Sequence, residues 1–148
     1  LDQNQEAIVY LNEYINRNPY SEIAWHQLGR LHYGVKEYEA AIRAFDYATL
    51  IDDEFLGAFM EKAKAYERLK KYNEAIESYN RTIELDDATS YALLRIGKCY
   101  EKLGNLAKAI QYYNQTVHED PLLDKGWIAI TDYYVRQKKI QRSFAILS

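Results

Sequence analysis

One cysteine in 148 residues, Cys99, excludes an internal disulfide. It falls within an apolar-periodic segment and reads as a small buried hydrophobe, which fits a reducing compartment and makes a cytoplasmic location the expectation. Two prolines and six glycines leave little room for many tight turns. No apolar run approaches the ~18 residues needed to cross a bilayer. The opening LDQNQEAIVYLNEY has neither the basic n-region nor the apolar h-region of a signal peptide. These features are also compatible with a segment of a longer protein. Positive charge is not in excess: 19 Lys and Arg face 22 Asp and Glu, for a formal charge of −3 and a pI near 5.7. That balance argues against a broad nucleic-acid-binding surface.

What is present is a repeat. YNEAIESYNRTIELDD (72–87) shares its skeleton with LAKAIQYYNQTVHEDP (106–121), YEAAIRAFDYATLIDD (38–53) and NQEAIVYLNEYINRNP (4–19), each copy 34 residues from the next. Hydrophobic residues make up 48% of the chain, so a packed core is expected rather than disorder. With a unit starting at Glu22, the next start at Leu56, Ser90 and Asp124. The expected organisation is one array: a partial repeat at 1–21, repeats at 22–55, 56–89 and 90–123, and a partial repeat at 124–148.

Both halves of each unit carry apolar residues at helical spacing. In the first half, Trp25, Phe59, Leu93 and Trp127 share the fourth position, Leu28, Ile96 and Ile130 the seventh, and His32, Tyr66, Tyr100 and Tyr134 the eleventh. The eighth is mostly small: Gly29, Ala63, Gly97, then Thr131. In the second half, Ala41, Ala75, Ala109 and Ser143 share the twentieth position, followed by Ile42, Ile76, Ile110 and Phe144. Phe45, Tyr79, Tyr113 and Leu147 share the twenty-fourth. Small residues at eight and twenty let two antiparallel helices approach closely, and large residues fill the gaps beside them. Pro19 and Pro121 end a second helix where Asp53 and Asp87 stand in other copies. Asp52, Asp53, Asp86 and Asp87 also place negative charge near a helix N-terminus. The turns are Lys36-Glu37, Lys70-Lys71, Gly104-Asn105 and Lys138-Lys139, with Gly104 a helix stop and Asn105 a cap. Nine helical segments follow: a lone second helix, three pairs, then a first helix with a truncated second. The flanking half-pairs leave apolar faces short of cover, on one side the face with Ile8, Leu11 and Ile15, so end-to-end self-association is expected.

The period, W-x-x-L-G, the later tyrosine, the A-I pair, the aromatic and the terminal proline together resemble the tetratricopeptide repeat over essentially the whole chain. The resemblance implies an all-α, right-handed α-solenoid of antiparallel helix pairs. Lys62 takes an apolar position, and its stem is expected to run along the core. Thr82, Thr116 and Tyr14 replace a usual alanine.

No catalytic pattern stands out. There is no H-E-x-x-H, C-x-x-C, P-loop or G-x-G-x-x-G. His26 and His32 lie six residues apart, on different helix faces, and His118 is a whole array away. His32 reads as a satisfied core histidine. No enzyme activity, cofactor or metal is expected. The resemblance implies that the first helix of each pair lines a groove. Groove positions carry Arg30, Lys64, Arg95 and Lys98 as charge, and Tyr33, Met60, Tyr91 and Leu94 as apolar contact, suited to an extended acidic peptide. The competing reading is solvated surface, with Glu61 and Glu67 near Lys64 and Glu101 near Lys98. Some family members clamp a C-terminal carboxylate with Lys and Asn, but here only Arg95 matches, so that clamp is not carried over. The function expected is therefore a protein-interaction scaffold. The alternatives are an RNA-reading helical array, which the acidic balance disfavours, or a purely structural oligomerisation segment of a larger protein.

Overall fold

The computed structural model describes residues 3–86 and 89–147, so Asp87, named above, lies outside the described residues. Eight helices are present among them: α1 (Gln3–Arg17), α2 (Glu22–Gly34), α3 (Tyr38–Ile51), α4 (Leu56–Arg68), α5 (Tyr72–Asp86), α6 (Ser90–Lys102), α7 (Leu106–Glu119) and α8 (Asp124–Leu147). No strand occurs among the described residues. Helices α2, α4, α6 and α8 begin at equivalent places in the 34-residue spacing, as do α3, α5 and α7. The chain forms two compact units, α1–α5 and α6–α8.

In the first unit each helix packs on the next, and α2 also touches α4. The close approach foreseen at the small positions is realised. A Cβ on Gly29 would lie 2.4 Å from the Phe45 ring, and Ala41 and Phe45 are fully buried. In the second unit a Cβ on Gly97 would meet Tyr113 at 2.5 Å and the Ala109 carbonyl at 3.3 Å. No methyl fits there, so these pairs pack backbone against ring.

The turns are enforced by packing as much as by local preference. Lys36 (φ 65°), Lys70 (φ 59°) and Gly104 (φ 81°) occupy one repeat position in the left-handed region, which a lysine adopts only against a steric penalty. Asn105 caps α7 by accepting from the Lys108 amide at 3.2 Å. Ser21 and Thr89 cap α2 and α6 in the same way. Asp52 instead stabilises the turn before α4, accepting from the Glu54 amide. The indole Nε1 groups of Trp25 and Trp127 donate to the carbonyls of Pro19 and Pro121, tying each proline turn to the helix after it. At Asp53 the carbonyl is reached instead by Arg81 of α5, whose guanidinium lies over the Phe59 ring.

Two expectations are corrected. No turn forms at Lys138-Lys139, and α8 runs on as one helix of 24 residues, so there are eight described helices rather than nine. Thr131 and Ser143 fill the two slots that carry small residues in the earlier pairs, and both hydroxyls bond back to their own helix, to Trp127 and Lys139 carbonyls. A β-branched polar contact cannot recreate the glycine-to-ring approach, and nothing then offsets a left-handed Lys138. Phe144, in the slot of the buried Ile42 and Ile76, is 68% exposed. Secondly, α1 is not left open on the stripe that was expected to be. Ile8 and Ile15 are buried against Ala24, Leu28 and Ala44, with Leu11 packed alongside. An amphipathic helix rotates its apolar stripe onto the neighbours it has.

Lys62 behaves as expected: its stem is mostly covered, its ammonium reaches Asp46 at 3.1 Å and it passes 5.1 Å from the Phe59 ring. Thr82 and Thr116 are buried, with hydroxyls donating to the Tyr79 and Tyr112 carbonyls. His32 is less satisfied than expected. Its Nδ1 has no hydrogen-bond partner and sits 3.7 Å from Glu37, because that glutamate belongs to the turn and stays on the rim.

Candidate binding surface

The predicted groove residues divide between the two units. In the first, α2 and α4 lie side by side, and Arg30, Tyr33, Gly34, Glu61 and Lys64 line one open cleft of about 250 Å³. Arg30 projects from α2, exposed, with Nε 3.5 Å from Glu61. His26 approaches the other oxygen of Glu61 at 3.4 Å. One carboxylate of α4 thus lies near two groups of α2, although the His26 Nε2 makes no hydrogen bond to it. The Arg68 Nε donates to the Tyr33 hydroxyl at 3.2 Å, and Tyr33 packs edge-on against Tyr38. The Tyr33 contact, then nearby tyrosines, push the Arg68 guanidinium further up from its ordinary value, so it stays charged. Met60 is half-buried on α4.

The second unit uses its predicted residues differently. Leu94 is 5% exposed and packs with Ala109, Tyr113 and Ala129, so it is core and not groove. Its position faces α7 and α8, which close over it. Lys98 holds its ammonium 5.5 Å from the Tyr113 ring, and Arg95 acts electrostatically on the same phenol. Tyr91 is exposed in the first turn of α6.

A pairing missed from sequence explains this arrangement. The buried Tyr113 hydroxyl donates to Glu101 at 2.7 Å, and the buried Tyr79 hydroxyl donates to Glu67. Both pairs join the twenty-fourth position to the twelfth. Glu67 and Glu101 had looked like surface partners of lysines, yet they complete a core tyrosine. Glu101 also holds Arg136 of α8. Burial, then the Glu101 hydrogen bond, pushes the Tyr113 phenol far above its usual value, so it remains a donor. The signal in the sequence was co-occurrence: tyrosine at twenty-four appears where glutamate stands at twelve, and Phe45 appears where Tyr33 does.

Among the described residues no group of three or more His, Cys, Asp and Glu is placed to hold a metal ion. None of the described helices is long and apolar enough to cross a membrane.

The family model described as tetratricopeptide repeat matches residues 26–88 and 60–123. Comparison with curated proteins gives no match. Among solved structures, one of MamA is 24% identical at a TM-score of 0.76, covering 80% of this chain and 64% of that one, so this chain spans just under two thirds of it. YrrB, described as a TPR protein with an unusual peptide-binding site, is 16% identical at a TM-score of 0.71, over 91% of this chain and 70% of that one. The N-terminal domain of stress-induced protein-1 from C. elegans is 22% identical at a TM-score of 0.70, over 76% of this chain and 94% of that one. At these identities the likeness shows the fold, an all-α helical-repeat solenoid.

Proposed function

The chain belongs to the tetratricopeptide repeat family, and from that premise we propose that it is a non-enzymatic scaffold holding an extended acidic segment of another protein along α2 and α4. A protein-interaction repeat scaffold is the class of function that goes with the family. The finer reading is carried by one observation: Arg30, Tyr33 and Lys64, distant in sequence, line a single open cleft. Two cations and one phenol around that cleft suit a carboxylate side chain beside an apolar one. Met60 adds apolar contact from α4. Glu61 in the same cleft selects for a ligand that displaces it from Arg30, which favours several acidic groups over one. In the second unit Tyr91 offers an aromatic anchor, while Arg95 and Lys98 lend positive potential around Tyr113. The cations speed encounter and reject basic partners, and the tyrosines set residence time.

The test is fluorescence anisotropy of a labelled acidic peptide over a salt series. Arg30→Glu with Lys64→Glu is expected to weaken binding at least about tenfold and to flatten the salt dependence. Equal affinity and equal salt dependence in the variant would reduce these residues to solvated surface.

A further inference from the structure

The distal half of α8 is chemically unlike the rest of this acidic chain. No Asp or Glu follows Asp132, whereas Arg136, Lys138, Lys139 and Arg142 are basic. Arg136 is engaged by Glu101. Lys138, Lys139 and Arg142 make no ion pair among the described residues. Helical spacing places Val135, Lys138, Lys139, Arg142 and Ile146 on one stripe, at i, i+3, i+4, i+7 and i+11. Val135 is 48% and Ile146 84% exposed, so a cationic stripe flanked by apolar side chains is left facing solvent.

A complement lies on the first unit. An open cleft of about 560 Å³ on α4 and α5 is lined by Phe59, Tyr66, Glu74 and Glu77, among others. Its cations are neutralised internally: Lys62 pairs with Asp46 at 3.1 Å, and Arg81 with Glu84 at 3.0 Å. Glu74 and Glu77 are exposed and make no ion pair among the described residues. Burial, then Asp46, Glu74 and Glu77, pushes the Tyr66 phenol up, as a site of negative potential would. Glu74 and Glu77 are about 5 Å apart along their helix axis and Lys138 and Arg142 about 6 Å along theirs, so the charges fall in register when the helices lie alongside.

We infer that the basic stripe of α8 in one copy docks in the α4/α5 cleft of a second copy. Exposed ion pairs contribute little singly, so Val135 and Ile146 against Phe59 and Tyr66 supply the burial while the charges set register. Stripe and cleft are different surfaces, so the contact is heterologous, joining copies into a ring where the rotation closes and a filament where it does not. It does not involve the α2/α4 cleft.

Sedimentation velocity of the whole chain over a range of concentration and salt tests this. Mass is expected to rise with concentration and to fall as salt screens the charges. Reversal of the stripe (Lys138→Glu, Lys139→Glu, Arg142→Glu) or of the cleft (Glu74→Lys, Glu77→Lys) is expected to weaken association at least about tenfold. All five side chains are exposed, and circular dichroism confirms folding. Mixing the two reversed proteins is expected to restore association between them. The Arg30→Glu, Lys64→Glu variant is expected to associate like the parent, which separates this proposal from the peptide reading. A parent that stays monomeric, a reversed variant that associates like the parent, or reversed proteins that ignore each other would each overturn the inference.

Discussion

The helix pairs α2/α3 and α6/α7 share a register and close it with different chemistry. In the first, Gly29 lies against Phe45, and Tyr33 stands where the other pairs carry a glutamate. In the second, Gly97 lies against Tyr113, whose hydroxyl is completed by Glu101 and, beyond it, Arg136. The approach of glycine to ring is common to both; the polar completion is an option. Where that option is unused, the twelfth position is released. Tyr33, with no core hydroxyl to serve, bonds Arg68 and lines the α2/α4 cleft. Where it is used, Glu101 is drawn inward, and Lys98 and Arg95 gather around Tyr113. How a pair closes its core thus decides which side chains remain for a partner.

The comparison breaks most completely when the ring is removed. Phe45→Ala and Tyr113→Ala each delete a fully buried aromatic and are expected to cost about 3–5 kcal/mol in urea unfolding. Tyr113→Ala is expected to be the worse of the two, because it also removes the hydroxyl that donates to Glu101, leaving that carboxylate only Arg136. A smaller loss comes from crowding the shared approach. Ala41→Leu and Ala109→Leu replace fully buried residues and are each expected to cost about 1–3 kcal/mol, read as a lower Tm. Parent-like melting would show that the twentieth position is not the contact between the helices.

The difference between the pairs is sharpened by exchanging one hydroxyl. Tyr113→Phe is expected to cost about 1–2 kcal/mol, whereas Phe45→Tyr gains nothing unless Tyr33→Glu accompanies it. A double-mutant cycle measures that coupling. The same hydroxyl carries a pH signature. The folded phenol titrates above its unfolded value of about 10, so its contribution is present below that pH and fades as pH rises through and beyond it. Unfolding at pH 9 and pH 11 is expected to show a steeper alkaline loss in the parent than in Tyr113→Phe.

Much of this was legible in the sequence, because spacing alone carries it. The 34-residue interval located the helices, and Gly29, Gly97, Ala41 and Ala109 announced the close approach. What escaped depended on which neighbour a side chain meets. Lys138-Lys139 is indistinguishable from Lys70-Lys71 as a turn, yet α8 continues through it, with Thr131 and Ser143 bonded within their own helix. Leu94 sits at a groove position by register, but α7 and α8 cover it. Glu67 and Glu101 have a lysine three residues away on the same helix, and each nevertheless turns to a tyrosine twelve residues on. Arg30 and Lys64 share a repeat position that can be read from sequence, whereas the contacts of Glu61 with Arg30 and His26 required the second helix.

The continuity of α8 also has a mechanical side. At about 1.5 Å per residue, 24 residues make one stiff strut of roughly 36 Å. A hairpin at Lys138 would have worked as a joint, letting the last turns swing without disturbing what precedes them. Without it, torque on Lys139 or Arg142 passes along the helix to Ala129 and Ile130, which are wedged against Leu94, Ala109 and Tyr113. The far end of the strut is therefore a handle on the interior of its own unit.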